Sequence, residues 1–130
     1  MLFCNYTVVD WIDLFTCKEL RYVIVDSLKH CQKEKGLVVN AWCVMPSHLH
    51  LIIRSEEEKL SDILRDFKKF TSKEIVKTIE LINESRREWL LESFARAGKD
   101  LRRITNFKVW QDGNHPEEVI TNEFMQQKID

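Results

Sequence analysis

The stretch Leu37–Arg54, which reads LVVNAWCVMPSHLHLIIR, decides the fold of this chain. Its first half, Leu37–Met45, is a nearly continuous apolar run of the kind that forms a buried strand. Pro46 and Ser47 interrupt the run, and His48–Arg54 then reads as a second strand. Because only a short break separates the two strands, we predict that they pair as an antiparallel hairpin.

Helical patterns flank this hairpin on both sides. Apolar residues recur at helical spacing over Lys18–Lys33, and Gly36 is suited to end that helix. The remaining predicted elements are a first strand over Asn5–Leu14, a long helix after Glu58 with Ser61 as its cap, a helix over Ser85–Ala97, a strand over Asn106–Gln111 and a last helix over Pro116–Asp130. The order β-α-β-β-α-α-β-α predicts an α+β fold of the ferredoxin-like kind, an antiparallel sheet with helices packed on one face.

Length and composition limit the classes of protein to which this chain can belong. A chain of 130 residues has the size of one domain. It contains no apolar run long enough to span a membrane, and its first ten residues do not form a secretory signal. The four cysteines have no zinc-type spacing, so we expect reduced thiols in a cytoplasmic protein.

Charge is distributed unevenly along the chain. The net charge of −1 gives no reason to expect tight non-specific binding of nucleic acid by the protein as a whole. Residues 65–103, however, carry eleven basic and seven acidic side chains, a net charge of +4. An anionic partner is therefore expected to contact the middle of the chain.

His48 and His50 are the residues most indicative of a functional site. Because side chains at i and i+2 of a strand share one face, their imidazoles are predicted to lie side by side within reach of one divalent ion. Leu49, Leu51 and Ile53 would then point into the core. The alternative is that the two histidines simply occupy an exposed sheet face.

Basic residues of the long second helix form a candidate anion-binding stripe, namely Arg65, Lys68, Lys69 and Lys73. Arg65, Lys69 and Lys73 follow one another at intervals of four, which places them on one helix face. Four further arginines, Arg86, Arg87, Arg102 and Arg103, are candidates to extend it. The alternative is a solvated face, neutralised by nearby carboxylates such as Asp62, Asp66 and Glu74.

The segment Val44–Ile52, VMPSHLHLI, resembles the signature of the single-tyrosine HUH transposases of insertion sequences and of their REP-associated branch. The resemblance extends over essentially the whole chain, through VVDW at residues 8–11, DFKKFTSK at residues 66–73, Trp110-Gln111 and His115-Pro116. It agrees with a ferredoxin-like fold. It also implies that residues 1–130 form one transposase-like HUH domain.

The resemblance implies a specific chemistry. His48 and His50 are expected to hold a divalent cation, Mg or Mn, that polarises a phosphate in single-stranded DNA. A tyrosine hydroxyl then attacks the phosphate and forms a 5′-phosphotyrosine link, so the strand can be rejoined elsewhere. The implied partner is single-stranded or hairpin DNA, contacted by the basic stripe, and the implied assembly is a homodimer or a monomer.

The chain departs from the family pattern at the nucleophile. In the family the tyrosine lies on the last helix, which Met125–Asp130 resembles only at its start, so the expected catalytic tyrosine lies beyond Asp130. The two tyrosines present, Tyr6 and Tyr22, are predicted to be packing residues. Two alternatives therefore remain beside a nicking and joining domain: an inactive remnant that binds hairpin DNA, and a ferredoxin-like binding domain without a nucleic-acid partner.

The aromatic residues outside the motif are predicted to be structural. We expect Trp110 to pack in the core rather than to stack on an unpaired base. We expect Trp11, Trp42 and Trp89 to be core or interface residues.

Overall fold

A four-stranded antiparallel sheet organises the part of the chain that the structure, a computed structural model, describes: residues 2–56, 59–82, 85–98 and 107–111, with the backbone of 117–118. The strands are β1 (Leu2–Thr7), β2 (Leu37–Val44), β3 (His48–Ser55) and β4 (Glu117–Glu118), and the helices are α1 (Lys18–Lys35), α2 (Leu60–Leu81) and α3 (Arg87–Gly98). The strand order is β2-β3-β1-β4, with every neighbouring pair antiparallel. This is the ferredoxin-like arrangement, so the predicted fold class is confirmed.

The predicted hairpin is β2–β3. The backbone N–H of Met45 donates to the carbonyl of His48 at 2.8 Å and closes the turn. Val44 pairs with Leu49 and Leu37 with Ser55, but the register shifts between Val39 and Ala41. This bulge at Asn40 reverses the alternation of β2, so that Cys43 lies opposite His50 and not among the core residues.

The first strand is shorter than predicted. It ends at Thr7, and two short 3-10 turns, Val9–Trp11 and Leu14–Thr16, replace its predicted second half. The physical reason is the left-handed backbone of Asp10 and Trp11, which each have φ of 56° and cannot continue an extended strand. Val9 instead donates its N–H to the carbonyl of Val109 at 2.8 Å.

Helix ends follow the sequence in part. Gly36 ends α1 in the left-handed region, with φ of 73°, as predicted. The predicted cap of α2 is wrong, because the helix already begins at Leu60 with Lys59 at the cap position and Ser61 inside it. The predicted third helix is α3, displaced by two residues at its start.

The core lies between the helices and one face of the sheet. Cys4 and Tyr6 of β1 and Leu49, Leu51 and Ile53 of β3 are buried in the same cluster as residues of all three helices. Tyr6 packs against Phe67 of α2, with ring centroids 5.6 Å apart. The opposite face of the sheet carries the alternate residues of β3, including both histidines. Within the described part of the chain, no helix is long and apolar enough to cross a membrane.

The C-terminal part differs from its prediction. Residues 107–111 contribute one isolated bridge, Val8 to Trp110, where a strand over Asn106–Gln111 was predicted. Asn106 lies outside the described residues, as does most of the predicted last helix, while Glu117 and Glu118 pair with β1 as a strand and not as a helix. His115 and Pro116 also fall outside the described residues.

The tryptophans divide into one core residue and three surface residues. Trp110 is buried, and its indole N–H donates to Oγ1 of Thr71 at 2.9 Å, which confirms its predicted place in the core. Trp11, Trp42 and Trp89, predicted to be core or interface residues, are 64%, 52% and 52% exposed, which excludes a place in the core. Tyr22, predicted to pack, is likewise exposed on α1.

Candidate functional site

The two histidines of β3 lie side by side on the sheet face opposite to the one against which α1, α2 and α3 pack. Their ring centroids are 5.9 Å apart, with the ring planes at 50°. Leu49 between them is fully buried on the other face, as the alternation predicts. A nitrogen-bound ion lies about 2.1 Å from its ligand atom, which places it roughly 3.2 Å from the ring centroid. Two imidazoles with this separation are therefore close enough to share one ion.

Three buried polar atoms without a hydrogen-bond partner in the described part of the chain belong to this face: Nδ1 of His48, Nδ1 of His50 and Oδ1 of Asn5. Asn5 lies on β1 directly opposite His50, and Thr7 lies opposite His48. Buried polar atoms are normally paired, because leaving one unpaired costs about 1–3 kcal/mol. Unpaired ring nitrogens beside an unpaired amide oxygen fit a bound cation.

Burial shapes the electrostatics of the pair. It lowers the pKa of His50, and the neighbouring His48 lowers it further, because a second positive charge beside the first is unfavourable. The neutral imidazole, which is the form that binds metals, is therefore favoured at His50. Among the residues described, no group of three or more histidine, cysteine or acidic side chains is arranged to hold a metal ion. The imidazole pair would have to be completed by another type of donor or by water.

Two aromatic rings frame the histidines. Phe3 stacks on His50 with centroids 5.7 Å apart, and Trp11 meets His48 edge-on at 4.4 Å. The indole of Trp11 nevertheless remains 64% exposed. A left-handed backbone at two successive residues that are not glycine, Asp10 and Trp11, holds it there. Such strain costs about 1–3 kcal/mol per residue and is concentrated at functional sites.

The predicted basic stripe separates into two groups. Lys69 and Lys73 line a groove of about 350 Å³ between α1 and α2. Arg65 and Lys68 are not among the residues that line it. Arg65 pairs with the carboxylates of Asp62 and Asp66 at 3.3 and 3.4 Å, while Lys68 donates to the backbone carbonyl of Gln111 at 3.0 Å. Two of the four predicted DNA contacts therefore have partners within the protein, Arg65 on its own helix and Lys68 at the Gln111 carbonyl.

The groove between the helices combines positive charge with exposed aromatic surface. His30 and Phe70 stack across it with ring centroids 6.4 Å apart. Lys35 at its edge pairs with Asp66 at 3.0 Å and lowers the pKa of that carboxyl. Because α1 and α2 cover the core face of the sheet, the groove and the histidine pair lie on opposite sides.

Two of the four arginines expected to extend the stripe, Arg86 and Arg87, contact other parts of the protein. Arg86 pairs with Asp13 at 2.6 Å and also reaches the hydroxyl of Thr16, which joins the start of α3 to the second 3-10 turn. Arg87 donates to the carbonyl of Glu80 at 3.3 Å. Arg102 and Arg103 lie outside the described residues.

Neither tyrosine of the chain lies on the histidine face. Tyr6 points to the core face, where it packs against Phe67 and Trp110. Tyr22 lies on the exposed side of α1, with the ammonium of Lys18 5.9 Å from its ring centroid.

Comparison with known proteins places these features in a family. The family model described as "Transposase IS200 like" matches residues 13–96, which is more than half of the chain and includes both histidines. The chain belongs to the IS200-like transposase family. A search of curated proteins finds no match. The membership supports the predicted transposase-like character and the link to DNA transposition.

Two solved structures share the fold of this IS200-like chain. A candidate transposase of Deinococcus radiodurans R1 is 12% identical, with a TM-score of 0.60, and the match covers 98% of this chain and 85% of that one. A REP-associated tyrosine transposase bound to a REP hairpin is 17% identical, with a TM-score of 0.55. That match covers 97% of this chain and 59% of the other, so the chain spans less than two thirds of the hairpin-bound protein.

Sequence reasoning missed the residues that the neighbouring strands contribute to the histidine face of this IS200-like transposase, among them Asn5 and Cys43. Both lie opposite His50, one on each neighbouring strand. For Asn5 a signal exists, since Asn5 and Thr7 alternate with buried Cys4 and Tyr6. For Cys43 no signal exists, because the bulge at Asn40 decides which way its side chain points.

All four thiols are free, as predicted, and burial raises the pKa of Cys4 to about 11.

The division of the basic stripe is testable by stability measurements. Replacing Lys68 with methionine should lower the free energy of unfolding by about 1–2 kcal/mol, because the Gln111 carbonyl loses a charged donor. Replacing Arg65 with alanine should change it by less than about 0.5 kcal/mol, because its ion pairs are exposed. Urea titrations measure the free energy of unfolding of both variants and of the wild type. Equal losses would contradict the separate roles given to the two residues.

Proposed function

We propose that this chain is the DNA-handling part of a transposase that nicks and joins single strands, and that His48 and His50 hold a divalent cation, Mg or Mn, beside a phosphate. The observation that carries the proposal is the pair of imidazoles on one face of β3, each with a buried and unpaired Nδ1. Membership of the IS200-like family supports it. The hairpin in the REP-associated structure supports hairpin DNA as the partner.

The cation, when bound, would withdraw charge from the phosphate and make its phosphorus more open to attack. The residues of this chain hold the two imidazoles in place. Leu49, Leu51 and Ile53 anchor β3 in the core, which fixes the two imidazoles against a rigid sheet. Phe3 and Trp11 limit the movement of the two rings, since each contacts one of them. A site held this firmly loses little free energy to reorganisation when it binds.

Two surfaces of the protein are assigned to DNA in this proposal. The histidine face receives the single strand whose phosphate is to be cleaved. The groove between α1 and α2 receives the phosphate backbone of the hairpin, through Lys69 and Lys73. The two surfaces lie on opposite sides of the sheet, so one DNA molecule with a hairpin and a single-stranded extension reaches both by passing around the edge of the domain.

The groove assignment predicts a change in salt dependence. Replacing Lys69 and Lys73 with alanine should weaken binding of hairpin-bearing DNA. Each lost phosphate contact should also reduce the slope of log affinity against log salt by roughly 0.7–0.9. Fluorescence anisotropy with labelled DNA measures both quantities. Lys77→Ala is the matched control, because Lys77 is exposed on the same helix but does not line the groove.

Two results would contradict this assignment. One is a slope that both groove variants leave unchanged, and the other is an equal effect of Lys77→Ala. If the wild-type protein binds neither single-stranded nor hairpin DNA at any salt concentration, the transposase proposal itself is wrong. A ferredoxin-like binding domain without a nucleic-acid partner would then explain the fold.

Trp11 is assigned to an unpaired base next to the bound phosphate, because its exposed indole touches His48. Base stacking on an aromatic side chain contributes about 1–3 kcal/mol, so Trp11→Ala should weaken single-strand binding about fivefold to a hundredfold. Trp11→Phe should retain most of the affinity. The control is Trp42→Ala, since Trp42 is similarly exposed but pairs with Leu51 on the core-facing side of the sheet. Equal affinities of Trp11→Ala and wild type would refute the stacking role.

The placement of the tyrosines predicts binding without covalent attachment. A nucleophile must lie in line with the phosphate, and Tyr6 and Tyr22 are held on other surfaces. Incubating the 130-residue chain with labelled hairpin DNA and Mn, followed by denaturing electrophoresis, should therefore reveal no protein–DNA adduct. This outcome also fits a hairpin-binding protein that does not cleave. An adduct that Tyr6→Phe or Tyr22→Phe abolishes would contradict the prediction.

A further inference from the structure

We infer that Asn5 supplies the third protein donor to the cation site, through its amide oxygen. This inference rests on the proposed function, because it assumes that His48 and His50 hold a cation. It concerns a residue outside the segment that the family model matches, residues 13–96.

The register of the sheet brings Asn5 to the histidines. Asn5 is paired directly with His50 in the antiparallel β1–β3 ladder. Directly opposite side chains of such a ladder share one face, with Cβ atoms about 5 Å apart. His48 is the diagonal neighbour, two residues away on the same face of β3. The amide of Asn5 therefore lies beside the imidazole of His50 and diagonal to that of His48.

The amide oxygen of Asn5 is buried but has no hydrogen-bond donor within the described residues. A buried carbonyl oxygen without a donor destabilises the fold, so an asparagine at this position needs a partner. The other unpaired polar atoms on this face, within the described residues, are the Nδ1 atoms of the two histidines. One cation bound among the three satisfies all of them at once.

The chemistry of the donor set agrees with this arrangement. Amide oxygens are common ligands of hard divalent cations, and imidazoles bind Mn and other transition metals. No acidic side chain joins the histidines in the described part of the chain, so a neutral oxygen is the donor at hand. Two neutral nitrogens and one neutral oxygen predict a weak site whose remaining positions are filled by water or by phosphate oxygens.

Cys43 is the competing candidate, because it lies opposite His50 on the other neighbouring strand. Its Sγ lies 3.6 Å from Sδ of Met45, within contact of another sulfur atom. Its thiol would also have to lose a proton to bind. The oxygen of Asn5, in contrast, is a ready ligand at any pH.

The test measures metal binding by the whole chain without DNA. Calorimetry gives the affinity for Mn, and the visible spectrum of bound Co reports the type of ligand. Asn5→Ala should weaken Mn binding at least about tenfold. Asn5→Asp should strengthen it, because a carboxylate oxygen adds negative charge at the same place. Asn40→Ala, at the exposed bulge of β2, is the matched control and should bind Mn like the wild type. Circular dichroism confirms that each variant is folded, and Asn5→Asp provides the reading if Asn5→Ala does not fold.

The outcomes separate this inference from the proposal on which it rests. If His48→Ala and His50→Ala lose Mn binding while the Asn5 variants bind like the wild type, the histidine site stands and the role of Asn5 is overturned. A thiolate-to-cobalt absorption band that Cys43→Ser removes would assign the third position to sulfur, and would also overturn it. If the wild-type chain binds neither metal, both the site and its third ligand are wrong.

Discussion

The central position of β3 in the sheet is the constraint on which the rest of this molecule depends. The strand is paired on both sides, with β1 and with β2, so its register cannot slip without breaking two ladders of hydrogen bonds. Its apolar residues Leu49, Leu51 and Ile53 are fixed in the core between the sheet and the helices. The period of two along a strand then forces His48 and His50 onto the opposite face together. The burial of the apolar residues of β3 thus fixes the positions of His48 and His50.

Features that cost stability are concentrated around this pair. On this face, three buried polar atoms lack partners within the described residues, and the neighbouring turn has a left-handed backbone at both Asp10 and Trp11. In the core, several buried polar side chains form hydrogen bonds in the usual way. Trp110 and Thr71 satisfy each other by a buried hydrogen bond, and Ser27 bonds to the carbonyl of Val23 one turn earlier. Unpaired polar atoms and backbone strain around one pair of side chains are typical of a surface kept ready for a ligand.

The helical side of the sheet carries a second type of surface. Helix periodicity predicts that Arg65, Lys69 and Lys73 form one stripe. In the structure these residues have different contacts, so they do not form one surface. Nearby carboxylates on the same helix pair with Arg65, and the carbonyl of Gln111, 43 residues away, receives the ammonium of Lys68. Lys69 and Lys73 instead meet His30 and Lys35 of α1 across a groove. An anionic ligand is therefore attracted by two helices together and not by one helix face.

The sequence by itself determined the fold class, the hairpin and the shared face of the histidines. Each of these follows from local patterns: apolar runs, helical periodicity, a glycine at the end of α1 and alternation along β3. It did not determine which residues meet these elements across the sheet. Asn5 reaches His50 through the register of β1, Cys43 through a one-residue bulge, and Trp11 through two left-handed residues that ended the predicted first strand early. Register, bulges and turns depend on contacts between segments distant in sequence, so only the tertiary structure decided which side chains surround the site.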